Sequence, residues 1–336
     1  MNNRRFYPIY ALVVIIALFI GFRRFTAKPN VPAPVHWKTA NPVLSPKSQP
    51  LSMGAAWTGI VHAVTLPKDQ LASAEWYLPI SGRSSIAYIL HDGRARWVVN
   101  GVAHTLKNPP DDPADQFSYA DNGQILGWSL PSGGATIVDA SGIAQSLSHV
   151  SAVAFTQAGT PVALVTSAHR VSVRGRSLGW VVPGTPAATH PFVDHANTLI
   201  VDRNGLIEAA SIPSGTIQQL AQVRDARWPQ LLTARSVGQG VAVLLERPAP
   251  VPRYLVLWMH GGRVGWYRFA SPTTPQLGVV KGNLVVGNAD PSGQLVVIAA
   301  QAAHPLNVTP GIFSSGPAGI VWQSSKGFEA LTGWKS

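Results

Sequence analysis

A glycine turn followed about five residues later by a leucine or an aromatic recurs along this chain, and the interval between recurrences restricts the fold more than any other feature. Gly101 opens GVAHTL, Gly142 GIAQSL, Gly175 GRSLGW, Gly215 GTIQQL and Gly262 GRVGWY, so the glycines stand 41, 33, 40 and 47 positions apart. From residue 55 onward, short runs rich in Val, Ile, Leu, Thr, Trp and Tyr alternate with clusters of Gly, Pro, Asn, Asp and Ser. That is the pattern of strands joined by tight turns. The chain holds only four Glu and no long stretch with a 3.6-residue apolar period, so the reading is all-β with little helix.

The turns repeat in kind as well as in spacing. Asp139-Ala140-Ser141-Gly142, Asp202-Arg203-Asn204-Gly205 and Asp290-Pro291-Ser292-Gly293 each place an acid ahead of a glycine. The carboxylate can accept backbone N–H bonds while glycine takes the positive φ that closes the hairpin. Ser129-Leu130-Pro131-Ser132-Gly133 matches Ser211-Ile212-Pro213-Ser214-Gly215, 82 positions on, or about two repeats.

A period near 40 suits four-stranded blades, and residues 55 to 334 resemble β-propeller repeat proteins in general. The resemblance implies an architecture and no particular family, because the Trp-Asp dipeptide of one large propeller class is absent. Seven blades are expected, with six or eight as alternatives: 77 to 106, 114 to 147, 151 to 182, 190 to 221, 226 to 269, 276 to 313, and a composite. The composite pairs a strand around Ala55 to Leu66 with a terminal hairpin around Ala318 to Trp334, which closes the ring and protects both edges. A β-sandwich is the competing fold, and the regular period argues against its Greek-key connections.

Ahead of the repeats, Tyr7 to Phe22 is uncharged, and as a helix its sixteen positions reach about 24 Å. Arg4 and Arg5 precede it and Arg23 and Arg24 follow, so long cationic side chains can reach head groups on both sides of a lipid bilayer. A cleavable signal would present small residues after the apolar run, whereas Phe22-Arg23-Arg24-Phe25 stands there. Residues 1 to 25 are therefore read as an uncleaved transmembrane anchor. The flanking charges nearly balance, so orientation rests on the segment's position near the N-terminus, which favours a single-pass cell-membrane protein with an extracytoplasmic C-terminal domain. Pro29, Pro32, Pro34, Pro42, Pro46 and Pro50 make residues 26 to 50 a stiff, extended linker or stalk. The propeller domain is drawn from 51 to 336.

The formal charge of +11 raises the question of nucleic acid, and its placement answers it. Seven of the 26 Lys and Arg lie in the first 50 residues, where there is no acid, which leaves 19 basic against 15 acidic residues elsewhere. So small and scattered a surplus is no nucleic-acid footprint. The absence of cysteine excludes disulfides, thiolate metal sites and a cysteine nucleophile.

Local motifs for catalysis fail their context tests. Gly175-Arg176-Ser177-Leu178-Gly179 has the G-x-S-x-G form, and His260-Gly261-Gly262 has the look of an oxyanion loop. A nucleophile elbow needs a strand before the serine and a helix after it, while VSVRGRSLGWVV reads as two strands around a turn. His190 and the pair Asp194-His195 offer metal-binding groups in one segment, but nothing at matching spacing adds a further converging ligand, and they read as loop residues. The Asp-to-Gly turns carry too few oxygens for calcium. Neither a cofactor nor a metal is assigned, and no catalytic residue is named.

Eleven tryptophans, among them Trp97, Trp128, Trp180, Trp228, Trp258, Trp266 and Trp322, are expected to fill the space between blades. One or two left exposed would be ligand platforms. The function expected is a membrane-anchored binding or scaffold module holding a protein, peptide or glycan on its loop face. The alternative is an enzyme with a site at the central channel, built from dispersed acids such as Asp121, Asp194, Asp225 and Asp290.

Overall fold

Seven sheets, antiparallel but for two short strands on the outer rim, succeed one another along the chain, and each of the first six is built mainly from strands consecutive in sequence. The computed structural model describes residues 43–44, 47–64, 76–81, 84–89, 94–110, 117–120, 122–130, 133–165, 170–173, 176–181, 185–186, 192–194, 196–203, 205–224, 230–247, 252–288, 293–316 and 319–336. The predicted anchor and residues 26–42 of the predicted stalk lie outside the described residues. Among the described residues no helix is long and apolar enough to cross a membrane.

Blade one runs from Trp76–Ser81 to Val102–Leu106, blade two from Phe117–Tyr119 to Ala144–Leu147, and blade three from Ala152–Phe155 to Arg176–Val181. Blade four ends in Leu206–Ser211 and Ile217–Val223, with two short inner pieces, Thr185–Pro186 and Phe192–Val193, both pairing with Thr198–Arg203. Blade five has strands Gln230–Val237, Gly240–Arg247, Arg253–His260 and Arg263–Ala270. Blade six runs from Gln276–Val280 to Ala302–Pro305. Apart from Thr185–Pro186, each strand within a blade pairs with the next, which is why a period near 40 emerges from four strands and their turns.

The seventh blade is composite, as the sequence predicts. Ser314–Gly316, Gly319–Ser324 and Gly327–Lys335 form its inner three strands, and the outermost is β4 (Thr58–Ala63) from the other end of the domain. Thr58 stands opposite Lys335 and Ala63 opposite Glu329. The C-terminal part supplies three strands, one more than the expected hairpin. The inner strand of blade seven packs on that of blade one, which closes the ring. At that seam a Cβ on Gly316 would overlap the Pro79 carbonyl, so no side chain fits there.

Before reaching blade seven, the chain runs along the outer rim. Here β1 (Val43–Leu44) pairs antiparallel with the outer strand of blade four, β2 (Ser48–Pro50) parallel with that of blade five, and β3 (Ser52–Met53) parallel with that of blade six. Val43 and Leu51 are buried by this belt, and backbone bonds from Leu51 N to Trp266 O and from Trp57 N to Pro305 O hold it at 2.9 and 2.8 Å. Sequence analysis places Val43 to Pro50 in the linker; the paired strands extend the propeller to Val43. Prolines are tolerated because the belt is the outermost strand, where a missing N–H breaks no inner ladder.

Apolar residues of adjacent blades interdigitate between the sheets. Between blades one and two, Ile86, Trp97, Leu126 and Trp128 form one cluster; between blades five and six, Leu244, Val256, Leu284 and Ile298 form another. Trp97, Trp128, Trp266 and Trp322 are buried as expected of interblade residues, while Trp57, Trp76, Trp258 and Trp334 are only partly covered. Trp228 and the side chain of Trp180 lie outside the described residues.

The Asp-to-Gly turns behave as their composition demands. Asp139 Oδ1 accepts from Ser141 N at 2.9 Å and Ile143 N at 3.1 Å, and Asp202 Oδ1 accepts from Gly205 N at 2.7 Å, with Gly205 at φ 86°. Asp290 lies outside the described residues. Asp202 differs from Asp139 in being 3% exposed. Burial pushes its carboxyl up to about 6, against the opposing effect of the Gly205 N–H.

The folded chain therefore holds this proton more tightly than the unfolded chain, whose value is 3.8. Stability is greatest below that value and falls as pH rises through 6, by about 3 kcal/mol at most. Asp202→Asn keeps an acceptor for Gly205 and removes the buried charge. It is expected to raise stability at pH 8 by about 1–3 kcal/mol and to flatten the slope between pH 4 and 7. Urea midpoints across pH for the two chains test this; parallel curves would contradict it.

Candidate functional site

The third and fourth strands of blade five meet in the turn His260-Gly261-Gly262-Arg263, with Gly261 at φ 54° and Gly262 at φ 70°. Two consecutive left-handed residues make the tight hairpin whose twist matches its strands. This settles His260-Gly261-Gly262 as a hairpin turn. The register sets His260 opposite Arg263 and Trp258 opposite Gly265. Opposed residues share a sheet face, so all four positions look the same way, toward blade six.

Deep in that seam the apolar cluster fills the space; at its outer end the filling stops. Gly265 has no side chain, and a Cβ there would come within 2.7 Å of Leu51 Cδ2. The belt lies close on this glycine, with Gln49 opposite it in register. From blade six, the turn after Val296–Ala299 carries Ala300 and Gln301 at φ 47° and 67°, and brings the Gln301 amide oxygen to accept a hydrogen bond from Gln49 Nε2.

The result is a cleft of about 350 Å³ walled by Trp258, His260, Arg263, Gly265, Gln49 and Gln301. The Trp258 and His260 rings lie 10° from parallel with centroids 5.8 Å apart. The Trp258 Nε1–H is buried without an acceptor among the described residues. His260 and Arg263 are exposed, and no carboxylate lines the cleft.

The next seam shows what closure looks like. There the belt inserts Trp57, stacked on His304 at 3.8 Å and 12° and flanked by Trp334 at 6.0 Å. His304 Nδ1 lies 3.1 Å from Ala55 O. A bulky aromatic fills the rim between blades six and seven, whereas Gln49 leaves the rim between blades five and six open.

Other positions singled out from sequence lie elsewhere. Ser177 sits in strand Arg176–Val181, opposite Ser172 of the preceding antiparallel strand, so strand follows it where a nucleophile elbow needs helix. Asp194 Oδ1 accepts from Ala196 N at 3.0 Å and Thr198 N at 2.9 Å, which makes it a turn residue. His190, His195, Asp121, Asp225 and Asp290 lie outside the described residues. Among the described residues no three His, Asp or Glu side chains converge as a metal site. The cleft had no signal as a site in the sequence, since its walls come from positions 49, 258 to 265 and 301.

No protein-family model matches the chain. No curated protein matches it. Among solved structures, the chain is similar to the β-propeller domain of Cps50 (Swd1) from Myceliophteria thermophila, with a TM-score of 0.51 and 8% identity over 80% of this chain and 97% of that one. It also matches the structure of U3-55K at a TM-score of 0.47 and 12% identity, over 80% of this chain and 89% of that one. The first likeness agrees with the seven-bladed ring described above and concerns the fold alone.

Proposed function

We propose that this chain is a membrane-tethered binding module, held by Tyr7 to Phe22 in the cell membrane and presenting its propeller outside the cytoplasm to a protein, peptide or glycan ligand. The observation that carries this reading is the belt. The segment leading from the apolar run does not join the ring at one point; between Val43 and Ala63 it pairs with strands of four successive blades. A pull on the N-terminal arm has to peel β1, β2 and β3 from their partner strands in turn before it reaches β4 of the composite blade.

The tether is tested by alkaline extraction of membranes from cells making the full chain. The chain is expected in the membrane pellet, and the double variant V14R/I16R in the supernatant. Each arginine near the middle of the segment costs about 2.5–3.5 kcal/mol of insertion. Release of the unaltered chain by alkali would overturn the anchor.

A further inference from the structure

The geometry points to the cleft beneath Gln49 as a binding site for a small organic carboxylate of sugar-acid size, with its carboxylate on Arg263 and its hydroxyls on the Gln49 and Gln301 amides. This deepens the binding-module reading and rests on it, though not on the anchor.

Charge selects the sign of the ligand. Arg263 and His260 stand opposite each other at the mouth, no acid lines the walls, and no carboxylate among the described residues pairs with Arg263. A guanidinium presents a planar fork of donors that matches a carboxylate with two parallel bonds. Size selects a single ring. About 350 Å³ is at the low end of ligand pockets and suits one small molecule.

The remaining walls select the rest of the molecule. Gln49 gives one N–H to Gln301, which leaves an acceptor on Gln49 and amide N–H donors on both side chains for a partner rich in hydroxyls. Trp258 contributes apolar ring surface of the kind that covers the C–H face of a pyranose. A neutral sugar leaves Arg263 unanswered, and an aromatic acid leaves the two amides unanswered. A uronate answers all of them. The same chemistry is offered by a free uronate and by the terminal uronate of a glycan.

Isothermal calorimetry on the full chain in detergent micelles tests the site, with glucuronate, glucose, benzoate and a uronate trisaccharide as probes. Glucuronate is expected to bind with a Kd of about 0.1–1 mM, and glucose and benzoate at least about tenfold more weakly. Arg263→Gln, at an exposed position, is expected to weaken glucuronate at least about tenfold while leaving the thermal midpoint unchanged. Trisaccharide binding as tight as glucuronate assigns the glycan end as the source, and its exclusion assigns the free acid; both support the site. No heat with glucuronate up to about 10 mM, equal binding of glucose, or unchanged binding by Arg263→Gln would overturn it. If glucuronate fails while the chain stays in the membrane pellet, this site alone falls and the tethered module stands.

Discussion

A chain trimmed to begin at Thr65 is expected to lose its cooperative unfolding transition, while one beginning at Asn41 keeps it. The reason lies in the composite blade. Removing β4 exposes Gly327–Lys335, a nine-residue strand, as an open edge. It also strips Val61, and with it Trp57, from the cluster that holds Leu306, Phe313 and Leu331. An unpaired edge of that length is a template for intermolecular pairing, so the trimmed chain should aggregate as well as unfold.

A chain beginning at Trp57 separates the two contributions. It retains β4 but loses β1 to β3 and with them the buried side chains of Val43 and Leu51. Each such side chain contributes about 1.5–3 kcal/mol, so this chain should unfold cooperatively at a stability lowered by about 3–6 kcal/mol. Urea titrations followed by tryptophan fluorescence and far-ultraviolet circular dichroism distinguish the three. An unchanged midpoint for the Thr65 chain would show that β4 is not needed to hold the seventh blade together.

The blades were legible because their signal is local. The expected interval 77 to 106 meets strands spanning 76 to 106, and 151 to 182 meets strands spanning 152 to 181. Alternating apolar residues and turn-forming Asp and Gly set each hairpin within a few residues, as the carboxylate bonds of Asp139 and Asp202 show. Ring closure was legible for a different reason: a repeat array with free ends has two edges to protect, and the strand near Ala55 was the one left over.

The belt was not legible. Its pieces β1 to β3 are two or three residues long, too short to show alternation, and Pro42, Pro46 and Pro50 around them speak for an extended linker. Extended it is; what sequence could not supply was the set of blade edges it lies on. The cleft was missed for the same non-local reason. Trp258 and His260-Gly261-Gly262 drew notice singly, but only the register that opposes Trp258 to Gly265, and the belt that carries Gln49 over it, bring them to one place.

The second large effect concerns the side of the membrane. Arg4 and Arg5 on one flank and Arg23, Arg24 and Lys28 on the other leave charge nearly silent on orientation. The proposed topology takes Tyr7 to Phe22 as a signal anchor whose C-terminal domain is translocated. The predicted effect is all or none, because a protease outside the cell either meets the propeller or does not.

The most direct measurement is protease digestion of a C-terminal epitope placed after Ser336, in intact cells with lysed cells as the control. Loss of the epitope in intact cells is the predicted result and directs the search for ligands to sugar acids and proteins of the envelope. Protection until lysis would contradict the account and place the propeller, its belt and its cleft on the cytoplasmic side.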